Sequence, residues 1–139
     1  MARPREFEPN EALKRAMQLF WAKGYEETSM ADLVEATGVS RYGFYTEFGD
    51  KNDLFLRCVD YYSSTTIEMA LAPLERADAG LPQIHGYFDQ FLNALQSEQP
   101  NMGCLIGNTA MSSSAWDVAL NGRIRSHFSR MRAAFHNAL

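Results

Sequence analysis

Thr28, Ser29, Ser40, Arg41, Tyr42, Gly43, Tyr45, Thr46 and Lys51 crowd into one short stretch of the chain. Hydroxyls, cations and bare backbone N–H groups in such a cluster can bind a polyanion. Thr28 and Ser29 suit the cap of a helix, and the unpaired N–H groups at a helix start form an anion site in themselves. Arg41 and Tyr42 open a second short helix. When such a helix lies in the DNA major groove, its first turn reaches base edges, and an arginine there reads guanine. Each residue also has a plainer reading, since caps serve the helix alone and a solvated arginine is ordinary.

These groups need two short helices around a tight turn. Ser29-Met30-Ala31-Asp32 is a capping box, with Leu33 and Val34 facing inward, and Gly38 stands where the chain must turn. Val39 then plugs the corner, and Ser40 caps a helix over Arg41–Phe48. That helix carries Phe44 and Phe48 at i, i+4, so its inner face packs while its outer face stays free. Upstream, Leu13, Ala16, Met17, Phe20 and Trp21 form a helical stripe ended by Lys23-Gly24-Tyr25. The arrangement is a helix-turn-helix followed directly by a further helix start.

Where Gly-Val-Ser-Arg-Tyr-Gly-Phe-Tyr-Thr-Glu-Phe meets Gly-Asp-Lys-Asn-Asp-Leu-Phe, the sequence resembles the tetracycline-repressor-like (TetR/AcrR) family of bacterial transcriptional regulators. The resemblance covers about the first 55 residues. It implies an all-α chain, with a three-helix DNA-binding domain over 1–50 joined to a helical effector-binding and dimerisation bundle over 51–139. It further implies a ligand-responsive repressor that binds a palindromic operator as a homodimer and is not an enzyme. By the same resemblance Tyr45 takes the place of a tyrosine that contacts backbone phosphate; a buried structural tyrosine is the plainer alternative. Two departures bear on what would be recognised. The order Tyr42-Gly43 puts a bulky aromatic toward the groove, and Glu47 stands where many members carry histidine. Glu47 can accept from a cytosine amino group, pair with Lys51 at i+4, or point away; the pair is the preferred reading.

Overall charge does not by itself suggest a nucleic-acid partner. The net charge is −4, and residues 1–57 hold eight Lys or Arg (Arg3, Arg5, Lys14, Arg15, Lys23, Arg41, Lys51, Arg57) against ten Asp or Glu. Placement carries the argument, because phosphate contacts come from a few groups and not from the domain average. Arg3, Arg5, Arg41 and Lys51 are the candidates. With 46% hydrophobic and 22% charged residues in 139, the composition suits a compact soluble, cytoplasmic protein. There is neither a membrane-length apolar run nor the apolar core of a signal peptide. Cys58 and Cys104 have no disulfide or zinc spacing, so no metal or cofactor is expected. His85, His127 and His136 complete no catalytic motif.

Beyond Asp50 the pattern predicts a fourth helix running toward Leu71, with Leu54, Phe55, Cys58, Val59 and Tyr62 buried, until Pro73 and residues 77–80 interrupt it. A fifth helix spans Pro82 to Ser97 with a stripe of Ile84, Tyr87, Phe88, Phe91, Leu92 and Leu95. A short apolar helix runs from Cys104 to Met111, and a last one begins near Trp116, bearing Val118, Leu120, Ile124, Phe128, Met131 and Phe135. The basic run Arg123, Arg125, Arg130 and Arg132 reads as a solvated face. Tyr62, Phe88, Phe91, Met102, Cys104, Met111, Trp116 and Phe128 are candidates to line an apolar effector site, against the plain alternative that they are core. Members of the family continue past this point with helices that pair across a dimer axis, so the chain is expected to be truncated. A helical small-molecule or thiol-based sensor without DNA binding, motivated by Glu47 and Cys104, is the alternative function.

Overall fold

The computed structural model describes residues 7–98, 101–112 and 117–139, and these are all-α. Helix α1, Pro9–Lys23, starts with proline in its first turn and a Glu8 carboxylate accepting from Asn10 N–H at 3.4 Å. It stops at Gly24, whose φ of 87° lies outside the ordinary range for other residues and whose N–H reaches the Phe20 carbonyl at 2.7 Å. Its buried face is Ala12, Ala16, Met17 and Phe20; Leu13 and Trp21, expected in that stripe, lie half-buried at its edges.

Helix α2, Met30–Thr37, has the predicted capping box in both directions: Asp32 N–H donates to Ser29 Oγ and Ser29 N–H to Asp32 Oδ2, each at 3.0 Å. Gly38 takes the left-handed conformation at φ 72°, and Val39 is buried behind it. Helix α3, Arg41–Phe48, is capped by Ser40 Oγ accepting from Gly43 N–H at 3.0 Å, and it buries Phe44 and Phe48. Helix α4, Lys51–Tyr62, opens on a second reciprocal box, with Asp53 N–H donating to Asp50 Oδ1 at 2.8 Å and Asp50 N–H to Asp53 Oδ2 at 3.1 Å. Leu54, Phe55, Cys58, Val59 and Tyr62 are its buried face, as the sequence pattern predicted.

The fourth helix does not run on toward Leu71 as one element. A π-helical turn occupies Ser63–Ile67, and α5, Glu68–Glu75, follows. The run Ser-Ser-Thr-Thr-Ile explains the change of hydrogen-bond pattern. Its β-branched side chains crowd the preceding turn, and its hydroxyls compete for backbone groups. Pro73, expected to interrupt, lies inside α5. It sits near the C-terminal end, where few carbonyls lose a partner, and Leu71 and Leu74 on either side are at most 1% exposed.

Helices α6 (Leu81–Gln96), α7 (Leu105–Ser112) and α8 (Val118–Ala138) complete the order. Compactness groups α1 to α4 with α7, and the π-helical turn with α5, α6 and α8. These units differ from a division at 50/51 because α4 packs along α1, burying Phe20 and Phe55 with ring centroids 5.0 Å apart. In the second unit α5 packs on α8. Arg130 pairs with Glu68 and Glu75 at 2.6 Å each, and Asn137 Nδ2 donates to the Leu74 and Arg76 carbonyls at 2.9 Å, closing the end of α5. The arginine run of α8 is therefore not one solvated face, since Arg130 finds its acids on α5.

Candidate nucleic-acid interface

Helix α3 is held rigidly from both ends and from below. Ser40 closes its start; at its end Arg57 Nη1 donates to the Glu47 carbonyl at 3.2 Å, with the guanidinium 5.4 Å from the Phe48 ring. Phe44 and Phe48 root it, so eight residues hold a helix that would be marginal in isolation. Its outward face is Arg41, Tyr42, Tyr45 and Thr46, all exposed, with Tyr42 at 79% and Tyr45 at 51%. Two solvated tyrosines and an arginine on one turn of a well-anchored helix form a surface of planar and donor groups suited to another molecule.

The remaining predicted residues divide by what their atoms already do. Ser29 and Ser40 are exposed, and each hydroxyl oxygen accepts from its own helix, which leaves the hydroxyl proton available to an anion. Thr46 is exposed, but its hydroxyl donates to the Tyr42 carbonyl at 2.7 Å. Thr28 does not reach the surface at all: it is 0% exposed, and its hydroxyl donates to the Gly24 carbonyl at 2.6 Å. It secures the turn between α1 and α2, and capping of α2 belongs to Ser29 alone. Gly43 is half-buried on the inner side. A Cβ there would lie 3.0 Å from Val39 Cγ1 and 3.1 Å from the Phe7 ring, so its role is close packing and not a direct contact.

Lys51 stands at the first position of α4, with its ammonium 4.2 Å from the Tyr25 ring centroid. Lys23 pairs with Asp32 Oδ2 at 2.9 Å, which removes it from the set of free cations. The Ser29 backbone N–H, then the Lys23 ammonium and the Ser29 hydroxyl, hold the Asp32 carboxyl down to about 2. Arg3 and Arg5 lie outside the described residues. Sequence reasoning missed the Arg57 clamp and the Tyr25–Lys51 contact, which join residues distant along the chain. The Asp50–Asp53 box carried a readable signal, an acid repeated three positions on before an apolar run.

The residues proposed to line an effector site are not gathered in one place. In the first unit, Tyr62 is buried edge-on against Trp21 at 5.1 Å, Cys104 Sγ accepts from Gly107 N–H at 3.4 Å, and Met111 is 88% exposed. Tyr62 is core, and Met111 lines nothing there. In the second unit, Phe88 and Phe91 lean on Tyr87, which also meets Phe135 at 4.9 Å; all four form an aromatic cluster between α6 and α8. Met102 is half-buried and Phe128 exposed, while Trp116 lies outside the described residues. Cys58 is fully buried, its thiol reaching the Leu13 carbonyl at 3.8 Å, and burial pushes that thiol well above its ordinary range. No group of three or more His, Cys, Asp or Glu among the described residues is placed to hold a metal. Nor is any described helix long and apolar enough to cross a membrane.

Comparison with known proteins agrees with this geometry. Residues 12–58 match the model of the bacterial regulatory proteins, tetR family. The chain is 37% identical over 120 residues to the HTH-type transcriptional repressor ComR of Escherichia coli, covering 84% of this chain and 57% of ComR. It is 30% identical over 139 residues to the uncharacterized HTH-type transcriptional regulator YezE of Bacillus subtilis, covering 100% of this chain and 72% of YezE. Among solved structures, a cysteine mutant of the TetR family transcriptional regulator CifR, complexed with 26-bp double-strand operator DNA, superposes with a TM-score of 0.77 at 26% identity. That match covers 97% of this chain and 75% of CifR. With a matching helix-turn-helix, an all-α fold shared with CifR and a relative aligned along its whole length, the chain belongs to the tetR family of bacterial transcriptional regulators.

Proposed function

We propose that the protein is a sequence-specific DNA-binding repressor that grips a palindromic operator as a dimer and releases it when a small molecule binds the helical part beyond residue 50. The observation that carries this reading is the outward face of α3, where Arg41, Tyr42 and Tyr45 stand exposed on a helix clamped at both ends. In this reading Arg41 and Tyr42 meet base edges. Tyr45, Ser29, Ser40 and Lys51 hold phosphates, and Thr46 lies along the groove wall. The CifR complex with operator DNA and the repressor ComR support the same assignment. Support for assembly comes from α6, which leaves Leu81, Phe88, Phe91, Leu92 and Leu95 between 47% and 63% exposed along one helix. That is more apolar surface than an isolated soluble helix ordinarily presents. A dimer then sets its two recognition helices about one DNA turn apart, roughly 34–36 Å. The effector would favour a state with a different spacing, so affinity falls by its differential affinity for the two states.

The test is a fluorescence-anisotropy titration against duplex DNA from upstream of the protein's own gene and a scrambled duplex, at two salt concentrations. Selective, salt-sensitive binding is expected. Equal or absent binding to both duplexes by folded protein would overturn the assignment.

A further inference from the structure

We propose that Tyr25 is a positioning residue for DNA binding, whose ring holds the Lys51 ammonium in place before DNA arrives. The inference rests on the reading of Lys51 as a phosphate contact given above. Lysine is an odd choice for the first position of a helix, where the macrodipole disfavours a cation and where Asp50 and Asp53 already satisfy the cap. What holds it there is the Tyr25 ring, 4.2 Å below the ammonium. Cation–π attraction draws the charge onto the ring face. The ring is fixed in turn, stacked on Phe20 at 6.0 Å and tilted against Phe55 at 5.0 Å, and those two phenylalanines are 1% exposed. A flexible side chain with four rotatable bonds is thereby tied to the core of the first unit.

The consequence follows from the donor geometry of an ammonium. Its three N–H groups leave donors pointing away from the ring, toward solvent or a phosphate, while the ring confines the stem. A lysine free in solvent gives up most of its rotamer freedom when it fixes on a phosphate; one already leaning on a ring gives up less. Tyr25 therefore lowers the entropic cost of a contact it does not make itself. The aromatic ring is the operative part, not the hydroxyl, so phenylalanine serves equally.

The experiment is a double-mutant cycle with Tyr25→Leu, Tyr25→Phe and Lys51→Gln, read by anisotropy on the upstream duplex. Each variant is first checked for an unchanged helical spectrum. Tyr25→Leu should weaken binding about two- to fivefold per protomer when Lys51 is present and leave affinity unchanged in the Lys51→Gln background, while Tyr25→Phe behaves as wild type. In the free protein, the Lys51 ε-methylene protons should resonate upfield through ring current in wild type and Tyr25→Phe, and at the ordinary position in Tyr25→Leu. Equal losses in both backgrounds would reduce Tyr25 to a core residue and overturn the inference, as would an unshifted Lys51 methylene in wild type. If Lys51→Gln lowers affinity but the cycle shows no coupling, only this inference fails. If wild type does not prefer the upstream duplex to the scrambled one, the repressor reading fails as well.

Discussion

Arg41 and Tyr45 lie four positions apart on the same face of α3, yet their chemistry predicts two different defects. The Tyr45 hydroxyl is one donor at the rim of the exposed face, and phosphates are the same in every sequence. Tyr45→Phe should therefore weaken operator and scrambled duplexes alike, by about 1 kcal/mol per protomer. The Arg41 guanidinium matches the two acceptors of guanine, so Arg41→Ala should cost about 1–3 kcal/mol on the operator and little on the scrambled duplex. Anisotropy titrations of both variants against both duplexes decide the matter. An equal loss on both duplexes for Arg41→Ala would make that residue a phosphate contact. Thr28 shows where type and spacing mislead. A threonine beside a capping serine reads as a second anion donor, but its side chain is 0% exposed and its proton is spent on the Gly24 carbonyl. Thr28→Val should lower stability by about 1–3 kcal/mol in a denaturant melt and leave the affinity of the folded fraction unchanged. Only the turn geometry after Gly24 decides which way that hydroxyl faces, and side-chain type does not encode it.

The caps of α2 and α4 were differently legible. Ser29 with Asp32 is the ordinary serine–acid box and could be read directly; Asp50 with Asp53 uses an acid as the cap and was passed over. The first of these makes an acid-limb prediction. The Asp32 carboxyl titrates at about 2 in the folded chain against an ordinary 3.8, because the Ser29 N–H, the Lys23 ammonium and the Ser29 hydroxyl all favour its anion. A depressed folded value means that stability is fully present above about pH 4 and is lost as the pH falls toward 2. Thermal melts should show Asp32→Asn below wild type at pH 6, with the gap closing between pH 4 and 2. A gap that stays constant across that window would show that the carboxylate charge contributes nothing. At the start of α4, Gly49 has φ 87°, and an added Cβ would run into the Asp53 side chain. Gly49→Ala should therefore cost about 1–2 kcal/mol or more, by strain and by loss of the box together. The helices with polar caps and full apolar stripes were the ones readable from the chain. The π-helical turn at Ser63–Ile67 and the run of α5 through Pro73 were not, because local propensity argues against both and packing of Leu71 and Leu74 outweighs it. The stripe of α6 was placed correctly but was expected to be covered; a hydrophobic period shows which face is apolar and not what lies against it.

At the scale of the whole molecule, a net charge of −4 and an excess of acids in the first 57 residues leave little long-range attraction for DNA, so binding must come from a few local cations. The structure removes several from consideration. Lys23 is paired with Asp32, Arg57 clamps the end of α3, and Arg130 is held by Glu68 and Glu75. Arg41 and Lys51 remain, together with Arg3 and Arg5 of the N-terminal segment, which gives about eight positive charges in a dimer and a limiting slope of log affinity against log salt of about −7. Ser29, Ser40 and Tyr45 add contacts without displacing counterions, so they raise affinity and leave the slope alone. Titration of the upstream duplex across a salt series should give a slope between about −2 and −7, and deleting residues 2–5 should bring it to about −4 or shallower. A slope steeper than about −7 would require cations elsewhere, with the exposed Arg125 and Arg132 of α8 the nearest in kind, and α3 with the start of α4 would then not be the whole of the DNA-binding surface.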